Sequence, residues 1–530
     1  MDIAIWGTGF YAGKQSVLLK DRVTMYLDSN KKSTYFLGKK VYHPEEIKDW
    51  KDIKVYVPFN YYNEISQYLM SKGLKENVDF IKYLNHFAIT KKTIENDFKR
   101  AMFEIQNNKE RLKGKYIFWG HVWNGRKGYK ELFQNVMVND KSFELVLFSE
   151  EIWKTQESVE AEAGIPSIVV PILFDSDFYM EKDNYSQEND CGKLEDRIIW
   201  YNYEFASQAD SETMVKMIQE FCAFVLDELK PKGIIMLGSF QNSHKILIAE
   251  SSLRGIKTMF VHEGVIPGTL SIDYLGEMGR SLPAIFSKEF SKLPVTKEEI
   301  NNAKEVAEYI NKTGLNRKIQ ANLDKQLIWD RIDKKRPIVF FAGQIDTLSD
   351  MVPYNDETQK YISPIFKSTI EAAIFLQDIC KRNNWNYIFK PHPSYIKKED
   401  VELLSEDTIY VEMGNINELV DIADLTITIV SQTCYVAALR NKPVLMLGYN
   451  QISHKECVYE TDKKEDIENQ IKCALSCGFS DNQKEKFFLH LAQLLKYYLY
   501  DDNKDRELRY GKPMPKSFEE LLELKTLLGL

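Results

Sequence analysis

The chain has 530 residues, 44% of them hydrophobic and 28% charged, and a formal net charge of -8. That length exceeds what one core supports and implies about two to four domains of a globular protein. The acidic balance argues against a primary nucleic-acid binder, which carries a strongly basic face, and favours small-molecule partners.

Seven cysteines, at 191, 222, 380, 434, 457, 473 and 477, form no C-x-x-C pair and no disulfide framework, so a reducing cytoplasm is expected. The N-terminus runs straight into a strand without a basic or long apolar leader, and no signal peptide is expected. No apolar run approaches the ~20 residues that span a bilayer. Any membrane contact should then be peripheral, at the inner face of the cytoplasmic membrane.

A strand over 3–6 leads into Gly7-Thr8-Gly9-Phe10-Tyr11-Ala12-Gly13, and a second strand over 23–27 ends at Asp28. This is the Gly-x-Gly-x-x-Ala dinucleotide fingerprint in its strand-turn-helix context, with an acid at roughly the ~20-residue spacing. Gly7, Gly9 and Ala12 would let a phosphate approach the backbone at a helix N-terminus, with Asp28 in the ribose-binding position. The pattern runs out near residue 81, after a strand over 55–57 and a helix over about 63–72. That leaves room for half of a doubly wound sheet, and two readings stay open: a nucleotide site, or an accessory domain that keeps the Gly turn for packing. The segment resembles the small N-terminal Rossmann-like domains of sugar-modifying enzymes.

Residues 86–113 have helical spacing and read as a linker. A strand over 115–120 ends in His121-Val122-Trp123-Asn124-Gly125-Arg126-Lys127-Gly128. There Arg126 or Lys127 would meet a phosphate or an acceptor, or the segment is a solvated loop. The acidic stretch 180–190 reads as a surface loop without chemistry. After a helix over 214–229 and a strand over 233–237, a strand over 258–261 runs into His262-Glu263-Gly264-Val265-Ile266-Pro267-Gly268-Thr269-Leu270. An imidazole and a carboxylate side by side suit acid/base work near neutral pH. The alternative is that Glu263 caps a helix or pairs with Arg254. Residues 271–276, with Asp273 and Gly276, read as prolonging the loop.

A Lys- and Glu-rich helical region over about 295–331 marks a domain boundary. Residues 337–346 open a new α/β unit with a Gly turn at Gly343-Gln344, and a helix over about 364–382 leads to Phe389-Lys390-Pro391-His392-Pro393-Ser394. Each proline pushes the preceding residue towards extended geometry, so the ammonium of Lys390 and the imidazole of His392 are held at a strand end. In open α/β sheets ligands bind there; a rigid turn with a surface histidine is the structural alternative. A strand over 425–430 ends in Ser431-Gln432-Thr433 before a helix. Ser and Thr are good N-caps, and the same helix N-terminus would favour an anion. The remainder from about 462 reads as helical, its aromatic stripe (Phe487, Phe488, Tyr497, Tyr498, Tyr500) serving packing.

Residues from about 233 to 450 resemble the capsule polysaccharide biosynthesis glycosyltransferase family, which includes bacterial transferases that add Kdo (3-deoxy-D-manno-octulosonic acid) from CMP-Kdo. The resemblance is carried by 261–270, 341–344, Lys390-Pro391-His392-Pro393, 423–433 and Asn441-Lys442-Pro443-Val444. The same motifs are similar to the acidic-acidic-Gly, His-Pro and Ser-Ser/Thr motifs of bacterial sialyltransferases. The resemblance implies an α/β GT-B fold, two Rossmann-like domains facing a cleft, here with a small N-terminal Rossmann-like domain. With the composition shifts along the chain, boundaries are expected at 1–85, 86–113 (helical linker), 114–330 (acceptor domain), 331–480 (donor domain) and 481–530 (C-terminal helices).

The donor site would be Gly343, Gln344, Lys390, His392, Pro393, Ser431, Gln432 and Thr433, and Glu263 or His262 would be the base. His262 replaces the first acid of the motif, and Gln432 separates the two hydroxyls. The donor would be a nucleotide sugar, a CMP-activated acidic sugar first, and the acceptor a glycan or lipid-linked glycan. Donors aimed at the departing phosphate stabilise the transition state without a metal, and none is expected to be required. A teichoic-acid-type polyol-phosphate transferase using a CDP donor and a non-catalytic GT-B binding protein are the alternatives.

Overall fold

The computed structural model describes residues 2–58, 62–82, 87–125, 127–175, 178–180, 208–316, 323, 328–352, 354–392, 401–412, 414–503 and 505–530. Arg126, Pro393, Ser394 and most of the acidic stretch lie outside them. The chain divides into two compact units. One comprises Met1–Gly125, Leu145–Ile234 and Asn242–Lys257; the other comprises Arg126–Glu144, Ile235–Gln241 and Thr258–Leu530.

In the first unit the N-terminal strands Asp2–Trp6, Met25–Leu27, Lys39–Tyr42, Ile53–Val57 and Phe80–Lys82 form a parallel sheet. Numbered along the chain, their spatial order is 3-2-1-4-5, with Tyr35–Phe36 antiparallel at one edge. This is the Rossmann order, and it is more complete than the half sheet expected, because Lys39–Tyr42 supplies a strand too short and too polar to stand out in the sequence. Ala4, Trp6, Val55 and Val57 pack on one face, and Ile5, Tyr26 and Val41 on the other. Such burial on both faces is what a parallel sheet requires.

A second set of parallel strands, Ser167–Val169, Leu145–Ser149 and Tyr116–Gly120, belongs to the same unit. The expected linker contains the helices Lys91–Asn107 and Lys109–Leu112, preceded by the short strand Phe87–Ile89.

The second unit is built on six parallel strands: Ile338–Ala342, Asn386–Lys390, Ile409–Tyr410, Leu425–Thr428, Val444–Met446 and Tyr459–Glu460. In chain numbering their order is 3-2-1-4-5-6, the doubly wound Rossmann arrangement. Phe340, Ala342 and Ile388 join one core, and Val339, Phe341, Tyr387 and Phe389 the other. The chain is therefore of the α/β class, with the Rossmann-like parallel sheets expected of a GT-B protein.

Two segments read as irregular or helical prove to be strands. Thr269–Asp273 pairs antiparallel with Thr258–Glu263, closing a hairpin where a prolonged loop was expected. Its alternation Thr-Leu-Ser-Ile-Asp is the period of a strand. Leu499–Asp501, inside the region read as C-terminal helix, pairs with Thr269–Ser271. Among the described residues no helix is long and apolar enough to cross a membrane.

Candidate functional site

The C-terminal sheet places its motif residues beyond the carboxyl ends of its strands. Strand 1 of its order ends in Gly343-Gln344, strand 2 in Lys390-Pro391-His392, and strand 4 is followed by Ser431-Gln432-Thr433. Strands 1 and 4 are neighbours where the strand order reverses, the point at which such sheets bind ligands.

Gly343 is required by close approach. A β-carbon there would lie 3.0 Å from the Thr369 methyl and 3.3 Å from the Lys390 carbonyl, while the Gly343 N–H donates to that carbonyl at 2.9 Å. Gln344 is buried; its amide donates to the Thr369 hydroxyl at 2.9 Å and to Met351 Sδ at 2.8 Å. Lys390 is also buried, and burial pushes its ammonium down to about 8. His392 is half-buried at the described end of its motif. Ser431 accepts the Thr433 N–H at 3.3 Å and its hydroxyl lies 3.0 Å from the Thr433 hydroxyl. These two hydroxyls thus begin the helix Thr433–Leu439 as a linked pair.

The hairpin holds the other motif in the same unit. Cross-strand register pairs Phe260 with Asp273 and His262 with Ser271. Because side chains alternate along a strand, those four point to one side. Glu263 points to the other, so the imidazole and carboxylate expected side by side do not converge. Glu263 instead lines a separate cavity of about 260 Å³ with Gly268, Thr269, Asp502 and Arg506. Gly264 is pinned within the turn, since a β-carbon there would come 1.9 Å from the Thr269 hydroxyl.

His262 faces a small polar cavity lined also by Asp273, Glu277, Gln432, Gln451 and Tyr498. Its Nε2 lies 2.9 Å from Glu277 Oε2 and its Nδ1 2.8 Å from the Glu263 carbonyl. Nδ1–H therefore donates to the carbonyl, and a single proton bridges Nε2 and the Glu277 carboxylate. The other oxygen of Glu277 accepts the Ser239 N–H at 2.7 Å, so this carboxylate is held between a backbone donor and the imidazole. A proton shared by such a pair belongs to both groups.

Asp273 is fully buried and accepts from Leu275 N at 2.8 Å, Leu282 N at 2.8 Å, Gly276 N at 3.3 Å and the Tyr498 hydroxyl at 3.0 Å. Burial outweighs these donors and pushes its carboxyl up to about 6. The side-chain oxygens of Gln432 and Gln451 are buried in the same cavity without hydrogen-bond partners among the described residues. At about 10 Å³ the cavity has room for about one donating water.

The structure thus brings His262 and Gln432, from two separate motifs, to one cavity. Glu277, Asp273 and Tyr498 were missed. Glu277 follows a glycine in a segment read as loop, and Tyr498 sat in a stripe assigned to packing. The hairpin alternation was the signal that would have aimed Asp273 inward.

At the N-terminus, Gly7 adopts φ +102°, and among the described residues no atom beyond the chain neighbours lies within 4 Å of a β-carbon at Gly7 or Gly9. Ala12 is buried, and Asp28 accepts from the Thr8 hydroxyl of the Gly7–Gly9 turn and from Asn30 N at 2.8 Å. Gly13 is where packing demands glycine: a β-carbon would come 2.6 Å from the Trp153 ring.

No protein-family model and no curated protein matches the chain. Solved structures similar to it include a β-Kdo 2,7 transferase, KpsC of Thermosulfurimonas dismutans, at 16% identity and TM-score 0.36, covering 58% of this chain and 89% of that one. They also include the UDP-GlcNAc 2-epimerase of Methanocaldococcus jannaschii, at 11% identity and TM-score 0.31, covering 71% and 98%. A third is a glycosyltransferase of Rickettsia africae, at 10% identity and TM-score 0.30, covering 78% and 99%.

Proposed function

We propose that the chain is a glycosyltransferase of bacterial capsule or surface-polysaccharide assembly that transfers a CMP-activated acidic sugar, such as Kdo or sialic acid, to a glycan acceptor. The observation that carries this reading is the shared cavity. Gln432, between the two hydroxyls proposed to hold the donor phosphate, lines the same space as the His262–Glu277 pair. Lys390, His392, Ser431 and Thr433 are proposed to stabilise the negative charge left on CMP as the sugar departs. The His262–Glu277 pair, in the form that has given up its shared proton to solvent, takes the acceptor proton, and Glu263, which faces away, does not. The reading includes metal-independent transfer, the domain boundaries given above and a cytoplasmic, peripherally membrane-associated location.

The test is a thermal-shift panel of CMP, CDP, UDP and GDP, followed by transfer assays from CMP-Kdo and CMP-sialic acid. CMP is expected to stabilise the wild type and not His392→Ala, and transfer is expected to fall with it. An unchanged donor KM and full activity in His392→Ala would sink the assignment.

Lys390 adds a pH signature. In the free protein its lysine titrates at about 8, and a bound phosphate favours the charged form and raises that value. The complex therefore binds more protons than the free protein above about pH 8, and CMP affinity should fall there by up to about tenfold per pH unit. Calorimetry in buffers of different ionisation enthalpy reads this proton uptake directly. Equal affinity on both sides of that pH would mean that Lys390 does not meet the phosphate.

A further inference from the structure

Glu277, the partner of His262, opens a tight turn whose far end is tied to another element of the same unit. Arg280 N donates to the Glu277 carbonyl at 2.9 Å and closes that turn. The Arg280 side chain then reaches Asp350 and the helix Asp356–Tyr361. Its Nε donates to Asp350 Oδ2 at 2.7 Å and its Nη1 to Glu357 Oε2 at 2.8 Å, and the guanidinium lies 5.3 Å from the centre of the Tyr361 ring. The Asp350 side chain is buried and that of Glu357 is exposed. A charge-assisted bond shielded from water holds its geometry, whereas an exposed pair contributes little. Asp350 is therefore the anchor.

The turn is also pressed against its neighbour's backbone. A β-carbon at Gly279 would stand 1.7 Å from the Tyr361 carbonyl oxygen and 2.9 Å from that of Tyr449, so only glycine fits there. Met278, two residues before Arg280, and Asp350 itself hold left-handed backbone at φ 50° and 57°. Residues with a β-carbon adopt that conformation where surrounding contacts impose it.

Asp350 belongs to the loop that follows Gly343-Gln344 at the end of the strand Ile338–Ala342. That loop is fixed to its own sheet. Met351 N donates to the Asp346 carbonyl at 3.0 Å, the Gln344 amide donates to Met351 Sδ at 2.8 Å, and the Asp346 carboxylate accepts Thr369 N at 2.9 Å. Arg280 thus joins the Glu277 turn to one of the strand ends at which the donor motifs stand. Gly276, Glu277 and Met278 line the His262 cavity and Arg280 does not, so its influence on the cavity passes through the turn.

We propose that Arg280, anchored by Asp350, is a positioning residue that sets the Glu277 carboxylate against His262. The Ser239 N–H holds one oxygen of Glu277; the Arg280 clasp fixes the backbone from which the other oxygen is aimed at the imidazole. Its consequence for catalysis rests on the transfer reading above, while the placing of Glu277 does not.

The test follows the imidazole nitrogens of the full chain labelled with 15N-histidine by NMR, at one pH and without nucleotide, with His262 assigned through His262→Gln. Glu277→Gln supplies the reference for a broken contact. In Arg280→Ala and Asp350→Asn the His262 Nε2 resonance is expected to move towards its place in Glu277→Gln. Arg280→Lys keeps the charge and should stay closer to wild type, and Glu357→Gln, at the exposed pair, should leave the resonance where it is. Circular dichroism verifies folding, and Asp350→Asn serves if Arg280→Ala does not fold. In transfer assays Arg280→Ala should lower kcat by about 10–100-fold, the scale of a misplaced reacting group, with donor KM within about threefold of wild type. A His262 resonance at its wild-type place in the folded variants overturns the proposal, whatever the transfer assays give. A shifted resonance in a protein that transfers from no donor upholds the role of Arg280 and sinks the transfer reading instead.

Discussion

Replacing either His262 or Glu277 by alanine is expected to lower the rate of sugar transfer by about 10²–10⁴-fold, the usual worth of a positioned acid/base group, with little change in donor KM. The two groups share one contact of 2.9 Å and each has a second anchor, the Glu263 carbonyl and the Ser239 N–H. Residues that act as a unit lose most of their effect when either one goes. The double variant should therefore be no more than a few-fold slower than either single one. Glu277→Gln keeps an oxygen for Ser239 and removes the charge that favours the imidazolium, so the acidic limb of its pH-rate profile should move to lower pH. Glu263→Gln, on the opposite face of the strand, should cost less than about tenfold. Steady-state kinetics across pH on the five variants decides this. Multiplicative losses in the double variant, or a loss in Glu263→Gln equal to that in His262→Ala, would return the acid/base role to Glu263.

The contrast between His262 and Glu263 marks how far the sequence was legible. Five of the six strands of the C-terminal sheet were readable as short apolar runs, since burial on both faces leaves little else for such a run to be; the sixth, Tyr459–Glu460, lies beyond the run over 443–448 that was expected to be the last, and it is too short and polar to stand out. The positions of Gly343, Lys390, His392 and Ser431 follow directly, since each stands immediately after such a run. The partners of His262 were not readable in the same way. Glu277 reaches it only because Thr269–Asp273 folds back as a hairpin strand, and Tyr498 arrives from a region more than 200 residues away in the chain. A pairing register is a tertiary fact, and one residue of slip would exchange His262 for Glu263 at the cavity. The N-terminal sheet was underestimated for a related reason. Lys39–Tyr42 is mostly polar and is a strand because it pairs with Met25–Leu27, not because its residues favour one.

Asp273→Ala is expected to be the most destabilising single change in this region, at about 3–5 kcal/mol near neutral pH. The carboxylate serves three backbone N–H groups and the Tyr498 hydroxyl. Alanine leaves all four buried donors unmatched, each costing about 1–3 kcal/mol unless water enters. The pH dependence has a definite sign. The folded carboxyl at about 6 stands above the unfolded value of about 3.9, so between those values the folded state binds more protons. Wild-type stability from this group is greatest below about pH 4 and declines by up to about 3 kcal/mol as pH rises through 6. The variant lacks that decline, so its deficit relative to wild type should be larger at pH 4 than at pH 7. Urea unfolding at both pH values measures the difference. The effect reaches function through the backbone, because Leu275, Gly276 and Leu282 flank the turn that carries Glu277. Loosening that turn should cost transfer activity even where the variant is fully folded, and at pH 7 the loss should resemble that of Glu277→Ala. A variant as stable as wild type at both pH values, or one folded and fully active, would mean that Asp273 does not hold this turn.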